Sequence, residues 1–198
     1  MTLTAKSPKP KRCKSPECRQ SFQPRNSMQA VCSPKCGLAM AAIQRKKREA
    51  QLAREDRKQT RERKEKLKTR ADYVREAQQA FNEFIRWRDK VAGYSDISSG
   101  RPLDWSGNQV DAGHYRSVGS APHLRFDERN CHAQSKHDNR FLSGNAIDYR
   151  LGLIARIGLE AVEALEADQE PRRYTIDDLQ KIKADYRAKT RDLKRAAQ

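Results

Sequence analysis

Apolar side chains are sparse over the first third of the chain and then gather. From residue 37 to residue 90 there is no Pro and the single Gly stands first, while Ala, Arg, Lys, Glu and Gln, all strong helix formers, dominate. This predicts one long helix. Between Ile43 and Leu67 its only large apolar residue is Leu52, too few for a coiled-coil seam, so the front half reads as an exposed arm or spacer. Further on, Val74, Ala77, Phe81, Phe84 and Val91 recur at three-to-four spacing beside Tyr73, Ile85 and Trp87, which gives the helix a face to bury. After Gly93 the helical period is lost. Ser-Gly, Arg-Pro and Gly-Ser-Ala-Pro turns punctuate two short extended candidates, about Gln109 to Ser117 and Leu124 to Phe126, and a helix is expected from near Ser135 to Phe141 or beyond. Ile147, Leu151, Ile154, Val162 and Leu165 return at helical spacing, with a break at Gly158. Thr175, followed by Asp177 and Asp178, starts a last helix with a narrow stripe of Ile176, Leu179, Ile182, Tyr186 and Leu193. That stripe docks either on the long helix or on a second subunit, as in a homodimer.

Composition narrows the architecture. A chain of 198 residues with 36% hydrophobic and 34% charged side chains is expected to hold a core of roughly 100 residues with extended or solvated pieces attached. Its 42 Lys and Arg against 26 Asp and Glu leave a net charge of +16, which favours a polyanionic partner, with nucleic acid ahead of an acidic membrane surface. No membrane segment is expected. No apolar run approaches the roughly 18 residues of a spanning helix, and no signal-peptide apolar region follows the basic N-terminus. The chain therefore reads as soluble and intracellular.

Four of the five cysteines lie within the first 36 residues, as Cys13-x4-Cys18 and, after thirteen intervening residues, Cys32-x3-Cys36. Two close pairs across a short loop match a tetrahedral thiolate site for one structural zinc ion, and four thiolates leave no open catalytic position. With only Phe22, Met28 and Val31 as core candidates, the segment needs such a staple to fold. Residues 1 to 36 carry eight Lys or Arg against one Glu, and residues 37 to 90 carry seventeen basic against nine acidic side chains, so both pieces suit contact with DNA phosphates.

All four histidines fall between positions 111 and 145, within "VDAGHYRS" and the stretch that ends "RNCHAQSKHDNRFLSGN". The order there is strand with His, loop with Asn, short strand, helix with Asn, which is the order of a ββα-metal (His-Me finger, HNH-type) nuclease site. His114 is the candidate general base, since an imidazole takes a proton from water near neutral pH. Asn139 is the first candidate ligand for magnesium or manganese through its hard side-chain oxygen. The second ligand stays open. Gly113 occupies the position before the base, Asp111 is the nearest carboxylate but falls on the opposite face of a regular strand, and His132, His137 and Asp138 are alternatives. Asn130 suits pinning the loop to its backbone. Arg116, Arg125, Lys136 and Arg140 are placed to meet phosphates.

The strings "AGHYRSVG", "LRFDERN", "HAQ", "NRFLSGN" and "YRLGLIARIG" together resemble the NinG or Rap recombination endonucleases of lambdoid phages, over roughly residues 94 to 160. The resemblance implies a divalent-metal-dependent, structure-selective endonuclease in the host cytoplasm, acting on Holliday junctions or D-loops, with other recombination proteins as further partners. The alternative is a non-catalytic branched-DNA-binding mediator, which the missing acid at Gly113 favours. In relatives of this kind two further Cys pairs hold a second zinc. The matching positions here are Asp96 and Ser99, then Ser135 and Asp138, so either hydrogen bonds among them replace the metal or the block depends more heavily on packing from the flanking helices. The expected division is a zinc module at 1–36, a basic helix at 37–72, a ββα-metal block at 73–170 and a C-terminal helix at 171–198, in a helix-rich α+β fold.

Overall fold

The computed structural model describes residues 9–141 and 144–197. It divides into two compact units, Met1–Leu67 and Lys68–Gln198. In the first, β1 (Lys11–Arg12) pairs antiparallel with β2 (Ser21–Phe22), and α1 (Pro34–Lys66) follows. Ser33 caps α1 by accepting from the Cys36 amide, and Pro34 occupies the first turn, where its missing N–H costs nothing. None of the residues of α1 is buried, in keeping with a solvated arm about 50 Å long.

The single long helix expected from 37 to 90 is instead two helices. At Thr69 the chain turns to extended geometry, and the Thr69 hydroxyl accepts from the Asp72 amide while the Asp72 carboxylate accepts from the Thr69 amide. This reciprocal capping box starts α2 (Arg70–Val91) afresh. Ala77, Phe81 and Ile85 of α2 are buried, and Asp89 extends the same four-residue stripe. Along that face lies α5 (Ile176–Ala196), itself started by a Thr175/Asp178 capping box. The two run in the same direction, as the pairs Arg70 with the Tyr174 carbonyl, Glu76 with Lys183 and Glu83 with Lys194 show. The stripe of the last helix thus docks on α2 of the same unit, through Leu179, Ile182, Tyr186 and Leu193.

The second sheet pairs β3 (Val110–His114) antiparallel with β4 (Cys131–Ser135) in unbroken register from Val110 opposite Ser135 to His114 opposite Cys131. The expected extended segment at Leu124 to Phe126 is not a strand: Pro122–Leu124 and Glu128–Asn130 are 3-10 turns in the connection, and the partner strand comes later in the sequence. After β4 one wide turn of π-helix, His137–Phe141, leads on to α3 (Ala146–Ile157) and α4 (Leu159–Ala167). Gly158, at φ 86°, makes the break between these two, a conformation that disfavours any residue with a Cβ. Ala112 and Cys131 on one face of the hairpin pack with Phe81 and Phe84 of α2. A second cluster, Ile97, Leu124, Tyr149, Leu153, Val162 and Leu165, seats α3 and α4. On α3 the buried residues are Tyr149 and Leu153, whereas Ile147 and Leu151, expected in the core, are 79% and 62% exposed. Among the described residues no helix is long and apolar enough to cross a membrane.

Candidate metal module and hairpin site

Cys13 leaves β1 and Cys18 follows a tight turn in which the Cys18 and Arg19 amides both donate to the Ser15 carbonyl. Arg19 takes a φ of 51°, which lets the turn close. Cys32 and Cys36 straddle the start of α1. The ligand atoms of all four lie within 4.8 Å of one another, with Cys18 to Cys32 at 3.5 Å and Cys32 to Cys36 at 3.6 Å. Thiolates held about 2.3 Å from a central zinc ion stand at separations of this kind, so the donor set and its spacing fit zinc. Hydrogen bonding with the Cys18 and then the Cys36 sulfur, with burial added, pushes the Cys32 thiol up to about 12 without metal. The Cys32 amide points at the Cys13 sulfur, 3.5 Å away, as a donor that supports a bound thiolate.

The hairpin block is organised by the buried Asp89. Its Oδ2 accepts the Ala133 amide at 2.6 Å and its Oδ1 accepts Arg88 Nε at 2.7 Å, so a carboxylate from α2 covers part of the free edge of β4. Ile97 covers the carbonyl of the same residue, its amide donating to the Ala133 oxygen. Arg88 continues to the carbonyls of Glu128 and Cys131 and to His132 Nδ1, 3.0 Å away. His132 donates from Nε2 to the Arg129 carbonyl at 3.1 Å. Burial first, then the Arg88 charge, lowers its pKa to about 4. His132 is therefore a neutral structural histidine in this conformation. Asp89 was invisible among the charges of "RWRDK", although the Ala77, Phe81, Ile85 period already placed it on the core stripe.

His114 lies on the face of the hairpin that packs on α2. Its ring centroid is 6.0 Å from that of Phe81, its Nε2 donates to the Arg125 carbonyl at 3.1 Å, and its Nδ1 is 3.6 Å from the Cys131 sulfur. Burial lowers its pKa, so the ring is neutral at pH 7. Asp111 falls on the other face, as alternation along a strand with no bulge requires. There Asp111 Oδ2 accepts from Asn139 Nδ2 at 3.1 Å and from Arg140 Nε at 3.0 Å. The structure thus joins Asp111 to Asn139 and keeps His114 apart from both. Among the described residues, the four cysteines are the only group of three or more His, Cys, Asp or Glu close enough to share an ion.

Asp138 belongs to a separate knot. Asp96 accepts from the Ser98, Ser99 and Ser135 amides, the Ser135 hydroxyl accepts from the Asp138 amide, and the Asp138 carboxylate contacts Ser99. The four positions matched to a second zinc site therefore do come together, tied by hydrogen bonds. Asn130 pins the loop as expected: its Oδ1 accepts the Arg116 amide and its Nδ2 donates to the carbonyls of Arg116 and Leu124. Two of the four expected phosphate-binding cations make hydrogen bonds within the protein. Arg116 donates to the carbonyls of Leu165, Glu166 and Asp168, satisfying the C-terminal end of α4, and Arg125 is half-buried with a bond to Gln78. Arg140 is exposed on Asp111, and Lys136 lies at the mouth beside Gln109, His137 and Asp138.

A basic, helix-rich α+β chain with a cluster of four cysteines that could hold a metal such as zinc is the class that these elements define. A family described as "Bacteriophage Lambda NinG protein" matches residues 5–196, nearly the whole chain, and the chain belongs to that family. Its relatives include the "Protein ninG" of Salmonella phage P22, 40% identical over 196 residues (93% of this chain and 94% of the relative), and that of Escherichia phage lambda, 40% identical over 199 residues (94% and 95%). The Escherichia phage 933W protein is 38% identical over 198 residues (94% and 96%). No solved structure matches the chain.

Proposed function

We propose that this protein binds branched DNA intermediates of phage recombination, such as Holliday junctions and D-loops, and cleaves them as a metal-dependent endonuclease. The observation that carries the reading is the meeting of Asp111 from β3 with Asn139 from the turn after β4, the Asn139 amide nitrogen donating to the Asp111 carboxylate at 3.1 Å. Magnesium and manganese keep several waters and need few protein donors beside substrate phosphates, so this pair, with the Asn139 amide turned, would hold such an ion. Bound there, the ion supplies charge stabilisation to the phosphate being cleaved. Arg140, ion-paired with Asp111, borders the same place and would hold the strand, while Lys136 lines the neighbouring cleft beside Asp138. The zinc module and the solvated basic arm α1 supply sequence-independent phosphate contacts.

His114 remains the candidate base of this reading, with its Nε2 hydrogen committed to the Arg125 carbonyl and Nδ1 left as acceptor. Its position on the α2 face, against Phe81, favours the second reading, a non-catalytic mediator in which His114 is a core residue. Cleavage of a synthetic four-way junction with and without added magnesium separates the two. The nuclease reading expects metal-dependent nicking that Asp111→Asn and Asn139→Ala each reduce, and that His114→Ala slows by roughly 10² to 10⁴. A His114→Ala chain that cleaves at the parent rate removes His114 from the chemistry. A parent chain that binds junctions yet never cleaves them leaves the mediator.

A further inference from the structure

The two tryptophans of the chain, Trp87 on α2 and Trp105 in the loop before β3, line one open cleft together with Arg86, Lys90, Asp104, Asn108 and Val110. Neither ring is fully buried, although Trp is among the side chains with most to gain from burial. The cleft has a volume of about 240 Å³. That is below the roughly 300–1,000 Å³ of pockets enclosing drug-sized ligands and suits one planar ring system entering from solvent. Its charge is equally specific. Lys90 Nζ stands 5.0 Å from the Trp87 ring centroid, and among the described residues neither Lys90 nor Arg86 has a carboxylate within ion-pair distance. By contrast Lys194, the other cation on Trp87, is paired with Glu83. The one carboxylate of the wall, Asp104, is occupied by the amide and hydroxyl of Ser106.

We infer that this cleft binds an unpaired DNA nucleotide, its base against the tryptophans and its phosphates on Arg86 and Lys90. Base–aromatic stacking beside free cations is how single strands are held without sequence preference. A D-loop carries unpaired nucleotides that plain duplex lacks, so the cleft would give the protein a preference for that branched substrate over duplex. The inference rests on the DNA-binding half of the proposed function and is independent of cleavage.

Because both tryptophans line the cleft, intrinsic fluorescence reports its occupancy. Titration of the full chain with oligothymidylate, with no divalent ion added, is expected to quench the emission, and duplex of equal length to quench it far less. Trp105→Ala should weaken single-strand binding roughly 5- to 100-fold and change duplex binding less than twofold, while Trp105→Tyr, which keeps a stacking ring, restores most of the loss. Lys90→Gln should flatten the salt dependence of single-strand binding. Equal losses on single strand and duplex, no rescue by Tyr, or binding of oligothymidylate without quenching would each overturn the inference. A parent chain that binds neither junction, duplex nor single strand would instead bring down the proposed DNA-binding function itself.

Discussion

Lowering the pH from 7 to 5 should destabilise the hairpin unit by roughly 2 kcal/mol through His132 alone. The ring is 3% exposed, it donates to the Arg129 carbonyl, and its other nitrogen faces the Arg88 guanidinium at 3.0 Å, so burial and that charge outweigh the pull of the Asp89 carboxylate 3.8 Å away on a second proton. Burial and that positive charge lower its pKa from the ordinary 6.5 to about 4. A depressed histidine pKa means that the unfolded chain takes the proton first. Stability is whole above pH 6.5, falls by about 1.4 kcal/mol per pH unit between 6.5 and 4, and levels off once the folded ring also titrates. The window from 7 to 5 lies above the ordinary carboxylate range, which keeps acid titration of Asp and Glu largely out of it. Both tryptophans belong to Lys68–Gln198, so urea unfolding followed by tryptophan emission reads this unit and not the four-cysteine module. Comparison of the parent with His132→Gln isolates the effect: the variant is less stable at pH 7, but its further loss on going to pH 5 should be smaller by the stated amount. A residual slope from His114, whose pKa burial also lowers, should persist in both. If parent and variant lose the same stability over that window, His132 is not held neutral by its surroundings.

Two more outcomes follow from packing and ligation. Metal analysis after dialysis should give one zinc ion per chain, lost on Cys32→Ser, with the tryptophan-detected unfolding of the hairpin unit unchanged; two ions would show that Asp96, Ser99, Ser135 and Asp138 form a metal site and not a hydrogen-bonded knot. Gly152→Ala in the middle of α3 would ordinarily stabilise a helix by about 0.5–1 kcal/mol, but here the added Cβ would lie 1.8 Å from the Ile97 carbonyl oxygen, so a net loss of about 1–3 kcal/mol is expected in the same urea assay. Unchanged or raised stability would mean that α3 does not seat on Ile97.

Local chemistry was written plainly in the sequence wherever one segment decides the outcome. The Cys13, Cys18, Cys32 and Cys36 spacing brings four sulfurs together because each pair needs only a tight turn. Thr175 with Asp178 starts α5, and Gly158 breaks α3 from α4, since caps and left-handed backbone depend on a few neighbouring residues. The matching Thr69/Asp72 signal was equally local, but it lay hidden inside a continuous run of good helix formers. Propensity marks where helix is allowed and caps mark where it stops, so the long helix was really α1 and α2.

What the sequence could not decide is which charged residues are buried and which faces meet. The sequence reads Arg116 and Arg125 as cations for phosphate, and only the tertiary structure shows the end of α4 and the side of α2 against them, because a guanidinium serves a carbonyl or an amide oxygen as readily as a phosphate. Period two puts His114 and Asp111 on opposite faces of β3, but only the packing of α2 on one face and the return of Asn139 to the other determines which of them joins a polar site. Trp87 and Trp105, eighteen positions apart, share a cleft only because the loop before β3 folds back on α2. The physical reason is common to these cases. Hydrogen bonds within a turn are specified by neighbours in the chain, whereas desolvation and the approach of distant side chains exist only once the helices close on the hairpin.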